Sequence, residues 1–338
     1  MITDAPTRLR SDVARTDRPG TRLAMGYRTR KGRYECGVCG TVAKMSRAHV
    51  PPQCAGNEGA VTRGNWMRTG RVVTLGRADE GGIWFLGQCR SCNSAAGRVF
   101  DPAYAVLATA LRPLWLASLI RQSSGRMPIP SVVFNPGAVV RSLLAGMCAT
   151  TTMLRQEWPD VPRLLDPTAA IDLPPGWKLC LAMTRGKTAW VSGTSAGGYI
   201  SGPRSTERTP DGGPRVLMTF ASVFFPPLAW QLVGHGEQML LEEGWADIGE
   251  WCTIAPNETR DLREFTTALP LVRHPRHEVN GDHHWGEMLQ HDVSLVAECF
   301  DVTDSRSDEA RARRRLINRR MLPAEDLEAA AARRGITL

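Results

Sequence analysis

The sequence predicts an α+β protein with a small metal-stabilised unit at the front and a larger mixed region behind it. Three observations lead there. Two Cys-x-x-Cys pairs, Cys36-Gly-Val-Cys39 and Cys89-Arg-Ser-Cys92, bracket the front unit. Apolar runs of helical period begin at Asp101-Pro102 and near residue 138. Strand-type runs such as WKLCLAM (177–183) and RVLMTFASVFF (215–225) alternate with turn residues behind them. A chain of 338 residues has room for about two domains.

The elements follow in order. Residues 1–34 carry Arg, Asp, Thr and Gly without an apolar period and read as a basic flexible arm. A compact unit spans 35–104. Within it RVVTLGR (71–77) and GIWFLGQ (82–88), joined by ADEG, predict a hairpin, and CNSAAGRVF predicts a short helix. Asp101 suits an N-cap and Pro102 a first helical position, so a helix should run to about Gln122, kinked or interrupted at Pro113. A second helix is expected over 138–157. Strands over 177–183, 188–194 and 215–225 make 105–304 an α+β region. The tail, 305–338, reads as basic and helical, with Gly335 where a C-cap belongs.

Composition narrows the function classes. Hydrophobic residues make up 42% and charged residues 22%, a globular profile. Residues 1–34 lack the apolar stretch of a signal peptide. The most apolar run, AYAVLATALRPLWLASLI, holds Arg112 and Pro113 at its centre, which favours a buried helix over a membrane span. A cytoplasmic location without membrane attachment is the expectation. In that setting Cys-x-x-Cys pairs point to metal or redox chemistry rather than disulfides. The net charge of +8 is uneven: 1–35, 36–104 and 305–338 are basic, whereas 105–304 is acidic. Such a front end suits a polyanion, and solvated tails are the plainer reading.

Each two-residue spacer lets both sulfurs of a turn face one ion. Four thiolates complete a tetrahedral zinc shell with no open position, so the expected Zn2+ site is structural. Unrelated buried thiols are the alternative, and a redox role lacks its flanking βαβ pattern. Cys54 competes as a ligand but has no partner at ligand spacing. Cys148, Cys180, Cys252 and Cys299 sit among apolar residues and read as core.

The order Cys-x-x-Cys, then His49 followed by Val-Pro-Pro, then Cys-x-x-Cys-Asn93, resembles the zinc-containing HNH endonucleases of the ββα-metal superfamily. Phage recombination endonucleases that cut branched DNA share the four-cysteine frame. The resemblance covers residues 36–101. It implies an HNH-like domain held by Cys36, Cys39, Cys89 and Cys92; the larger α+β domain of unknown role behind it lies outside the resemblance. It further implies His49 as general base and Asn93, opening the helix after the second pair, as ligand to a catalytic Mg2+ or Mn2+. The chemistry suits those residues. A neutral imidazole can take a proton from water near neutral pH, and a divalent ion relieves charge on phosphate and leaving group.

One position departs from the pattern. The residue before the base is a second metal ligand in such enzymes, and here it is Ala48. Asp101, Glu58 and Asp79 are the carboxylates that could substitute; for Asp101 the N-cap reading is stronger. His49 has plainer readings too, as a partner of a backbone carbonyl or a zinc ligand.

Two other features call for comment. HPRHEVNGDHHWGEMLQH (274–291) holds five of the seven histidines. On a helix His283 and Glu287 would share a face, as would His284, Glu287 and His291, and could hold a metal, although exposed polar histidines are commoner. Gly193-Thr-Ser195-Ala-Gly197, with Asp211 after it, spells a nucleophile elbow, but no helix pattern follows the serine. The expectation is a metal-dependent endonuclease acting on DNA, or on RNA, with the middle region free to bind a protein partner. The alternative is a catalytically inactive zinc module that binds nucleic acid or protein.

Overall fold

The computed structural model describes residues 33–58, 61–65, 75–79, 81–121, 125–151, 153–187, 189–193, 195–200, 215–235, 240–241, 244–272, 284–288 and 295–299. The arm over 1–32 and the tail over 305–338 lie outside them, as do His274, His277, His283 and His291.

The front of the chain builds around the cysteines. Strands β1 (Tyr34–Glu35) and β2 (Val42–Ala43) pair antiparallel and flank the turn that carries Cys36 and Cys39. Next come β3 (Met45–His49), β4 (Val61–Asn65), β5 (Leu75–Asp79) and β6 (Trp84–Cys89). Strand β3 pairs antiparallel with β6, placing Met45 opposite Cys89 and His49 opposite Trp84. Helix α1 (Arg90–Val99) leaves directly from β6, with Cys89 at its N-cap.

Residues 71–74 of the expected 71–77/82–88 hairpin lie outside the described residues, and 75–79 do not pair with 82–88. Strand β5 pairs with β4 instead, and β6 with β3. Gly81 and Gly82 both adopt positive φ, 87° and 81°, and redirect the chain between them. The buried Asn57 side chain then takes the backbone N–H of Ile83 at 2.6 Å. These local forces override the alternating pattern on which the hairpin expectation rested.

Helix α2 (Asp101–Arg121) is continuous, with Pro113 inside it. Thr109 and Pro113 are both exposed, so water can reach the Thr109 carbonyl that the proline leaves without a donor. Tyr104, Leu107, Leu111 and Trp115 are buried, whereas Val106, Leu116 and Ile120 are exposed. The expected burial therefore holds for one face only. By length and composition α2 is the one helix among the described residues that could cross a membrane.

After β7 (Arg126–Pro128) and β8 (Val133–Phe134) comes α3 (Pro136–Cys148), all thirteen residues of which are buried. The expected helix over 138–157 is thus two. Ala149 and Thr150 close three-residue turns onto Gly146 and Met147, and Thr150 Oγ1 donates to Met147 O at 2.7 Å. A run of three β-branched threonines favours that break, and α4 (Met153–Glu157) resumes after it.

The remaining strands are β9 (Lys178–Thr184), β10 (Ala189–Ser192), β11 (Ser195–Ile200), β12 (Arg215–Phe225), β13 (Leu228–His235), β14 (Ala246–Asp247), β15 (Arg260–Asp261), β16 (Ala268–Val272), β17 (His284–Met288) and β18 (Leu295–Cys299). Among the described residues twelve strands form one sheet, whose main path is β5-β4-β18-β10-β12-β13-β9-β16-β7. Its pairs are antiparallel except β16 with β9. The helix considered for the histidine-rich segment is corrected at 284–288, which is strand β17 on β11. Ser195 opens strand β11 rather than preceding a helix, so the nucleophile elbow is absent; Asp211 lies outside the described residues.

The architecture is therefore α+β. One hydrophobic core runs from Tyr34, Val38 and Phe85 through Leu107 and Leu143 to Leu181, Trp230 and Trp251. The division drawn at residue 104 falls within α2, and the front unit and the sheet share this core. Helix α3 is the hub. A Cβ on Gly37 would lie 1.9 Å from the Cys148 carbonyl oxygen, so only glycine lets the cysteine turn meet the end of α3. On β6, the buried Gln88 amide donates to Ala145 O.

On another side of α3 the buried Arg141 guanidinium donates to the carbonyls of Arg163, Leu164, Asp166 and Ala169. Burial lowers its pKa, yet it stays charged far above neutral pH. Arg141→Met is expected to leave these carbonyls without their donor and to cost on the order of 3 kcal/mol. A denaturant midpoint equal to wild type would contradict that role.

Candidate metal centre and the end of strand β3

The four predicted cysteines meet. Their sulfurs all lie within 4.8 Å of one another, and Cys39 Sγ is 3.9 Å from Cys89 Sγ. A tetrahedral shell with Zn–S of about 2.3 Å needs sulfurs about 3.8 Å apart. The donor set therefore fits a zinc ion. Cys36, Cys89 and Cys92 are buried, whereas Cys39 is exposed. The turn after β1 supplies Cys36 and Cys39, and the junction of β6 with α1 supplies Cys89 and Cys92.

The polypeptide favours a thiolate at one of the four sulfurs. The Cys92 thiol donates to Cys36 and draws the Cys36 pKa far below its ordinary value. Burial opposes that shift, and backbone N–H groups, among them Cys89 N at 3.3 Å, reinforce it. The same hydrogen bond, with burial, pushes Cys92 up. A metal must displace the protons that the cysteines hold, so apparent zinc affinity rises with pH.

Cys54 is exposed and outside the cluster, with its Sγ 3.5 Å from the Asp101 carbonyl oxygen. Cys148, Cys180 and Cys252 are buried, as their apolar contexts implied. The Cys299 side chain lies outside the described residues.

His49 ends β3 and is half-buried. Its Nε2 is 3.0 Å from Gly81 O. A carbonyl only accepts, so Nε2 carries the proton and the neutral ring's basic lone pair is on Nδ1. Two residues earlier, the Arg47 guanidinium lies 4.5 Å from the centre of the Trp84 ring, a cation–π contact. The Asn93 amide nitrogen donates to Arg47 O at 2.9 Å. That bond orients the amide with Oδ1 as its accepting atom. Asn93 sits within the first turns of α1 rather than opening it, since the helix begins at Arg90.

None of the carboxylates named above joins Asn93 at His49 among the described side chains. Ala48 itself is 2% exposed and packs in the core opposite Phe85. The Asp101 carboxylate accepts from Ser142 Oγ at 2.7 Å and is half-buried, and that burial pushes its pKa up. Glu58 is exposed, and the Asp79 side chain lies outside the described residues. Among the described residues the four cysteines are the one group of three or more His, Cys, Asp or Glu side chains close enough to share an ion. Among the described residues no second such group accompanies His49 and Asn93, and no chemical step is assigned to a magnesium or manganese ion.

Sequence reasoning passed over Asn57 and the Arg47–Trp84 pair. Asn57 is fully buried and makes three hydrogen bonds to backbone. The Gly81-Gly82 pair was its one visible correlate. Comparisons of the chain with family models, curated proteins and solved structures found no match.

Proposed function

We propose that the chain is a zinc-stabilised endonuclease of the HNH type, in which His49 acts as general base on a phosphodiester of DNA or RNA. The observation that carries this reading is the four-cysteine cluster at the junction of β6 with α1, beside the strand pair that ends at His49. The bond from His49 Nε2 to Gly81 O, which also fits the plainer reading of this histidine, makes Nδ1 the basic nitrogen of the neutral ring. Antiparallel β3 and β6, the helix α1 after them and the cysteine cluster at their junction support an HNH-like arrangement. In the proposed step Nδ1 takes a proton from water as its oxygen bonds to phosphorus. The bond from phosphorus to the leaving ribose oxygen breaks, and that oxygen is protonated from solvent.

Charge supports the choice of substrate. Lys44, Arg47, Arg90 and Arg98 are exposed on β3, α1 and the residue before β3, and residues 36–57 hold no acid. Cations of this kind contact phosphates without reading sequence. Deleting residues 1–33 is expected to weaken binding about equally on unrelated sequences and to flatten its dependence on salt. An unchanged salt slope in the truncated protein would remove the arm from the interface.

A second reading has its own observation. Ala48 is buried and brings no oxygen beside His49. On that reading the module is an inactive zinc frame that binds nucleic acid or a protein partner. Nicking of supercoiled plasmid by zinc-loaded protein, with and without magnesium or manganese, separates the two. Nicking supports the nuclease, and binding without nicking under every condition supports the inactive frame.

A further inference from the structure

We propose that helix α2 pairs with the α2 of a second copy of this chain, antiparallel and about a two-fold axis at the level of Leu111. The pairing is independent of the chemistry at His49. None of the residues that α2 exposes between 101 and 120 is charged. Pro102, Val106, Thr109, Pro113, Leu116 and Ile120 are all exposed and follow one another at steps of four, three, four, three and four. Such steps average about 3.5 residues, the repeat of a seam between two helices. A stripe that faces water normally carries charged residues instead. Val106, Leu116 and Ile120 are 53%, 41% and 84% exposed. Arg112, the one charged residue between Asp101 and Arg121, donates to Ala55 O at 2.9 Å.

Symmetry and charge select a second copy as the occupant. The steps read the same in both directions, so an antiparallel pair centred at Leu111 sets Ile120 against Pro102, Leu116 against Val106 and Pro113 against Thr109. Each contact then occurs twice, with a larger side chain against a smaller one at both ends. The same register sets the Asp101 end of one helix beside the Arg121 end of the other, opposite in residue charge and in helix dipole. Pro113 leaves the Thr109 carbonyl without its helical donor, and the second copy brings a Thr109 hydroxyl to that level in place of water. The six side chains present on the order of 500 Å² per copy, so a pair buries about 1,000 Å², at the lower end of specific interfaces. The dimer is therefore reversible. A lipid surface fits less well. Helices that lie on one carry Lys or Arg on their polar face, whereas the opposite face of α2 holds Tyr104, Leu107, Leu111 and Trp115 in the core.

The test is sedimentation equilibrium of zinc-loaded full-length protein over about 1–100 μM, a range suited to an interface of this size. Wild type is expected to be a dimer at the upper end. Leu116→Glu and Val106→Lys are each expected to raise the dissociation constant at least about 10-fold, since each places an unpaired charge in the seam twice. Both positions are exposed in the single chain, so zinc content and the melting temperature of dilute protein should stay near wild type. Mixed together, the two variants are expected to dimerise again, because the register brings their opposite charges face to face. A wild type that stays monomeric overturns the proposal, whether its α2 then proves to be covered by residues 305–338, so that deleting them permits dimers, or to bind phosphatidylcholine vesicles. A dimer that neither variant weakens overturns it, and so do variants that fail to pair when mixed. Should either variant fold poorly, Ile120→Lys decides, at the position of the three that is most exposed. A monomer there supports the pairing, and a dimer of wild-type strength overturns it.

Discussion

Cys36→Ser will leave the purified protein without zinc and its front unit without a stable fold. The substitution trades a buried thiolate ligand for a hydroxyl, and it does so at the sulfur toward which Cys89 N–H and the Cys92 thiol both point. Closed thiolate shells contribute binding energy on the order of 10 kcal/mol that is also folding energy, so losing one ligand exceeds the margin of an ordinary domain. The damage will spread, because Gly37 meets the end of α3 and the Arg155 guanidinium on α4 pairs with Glu35 beside it. Elemental analysis and a thermal melt read both effects. Cys54→Ser is the control, since that exposed sulfur lies outside the cluster. Zinc bound one to one in a Cys36→Ser protein that melts like wild type would contradict the assignment.

His49→Ala will lower phosphodiester cleavage by about 10²–10⁴-fold, the range that loss of a general base usually produces. Zinc content and nucleic-acid affinity will stay near wild type. The ring bonds to Gly81 O rather than to a cysteine, and its removal takes nothing from the metal shell. An equal loss of binding would assign His49 to the interface instead. Ala48→Asp is not expected to restore a metal site. Position 48 is 2% exposed, so the new carboxylate would enter the core and destabilise it.

Spacing alone made the metal centre legible. A two-residue gap brings the sulfurs of a turn together whatever surrounds them, and Cys36, Cys39, Cys89 and Cys92 converge as that rule requires. Helix α1 and strand β12 were legible for similarly local reasons. The partners of the strands were not. Strand β6 abandons the nearer β5 for β3, a choice made by two positive-φ glycines and a buried asparagine that no alternating pattern encodes. The pairing of β4 with β18, more than two hundred residues on, likewise has no local signature. The break between α3 and α4 could have been read from the threonines at 150–152, whose hydroxyls and branched side chains compete with helix. Asn57 stayed hidden because a polar residue between Gly and Glu looks like loop. Only the structure reveals that its side chain is buried among the backbone groups of two separated segments.

The central claim is that His49 performs phosphodiester hydrolysis on a frame pinned by zinc. Its most direct test is the rate of supercoiled-plasmid nicking by wild type and His49→Ala, prepared in parallel and matched for zinc content. The account predicts nicking by wild type and a loss of at least about 10²-fold in the variant at equal zinc. Nicking by purified His49→Ala at the wild-type rate would contradict it.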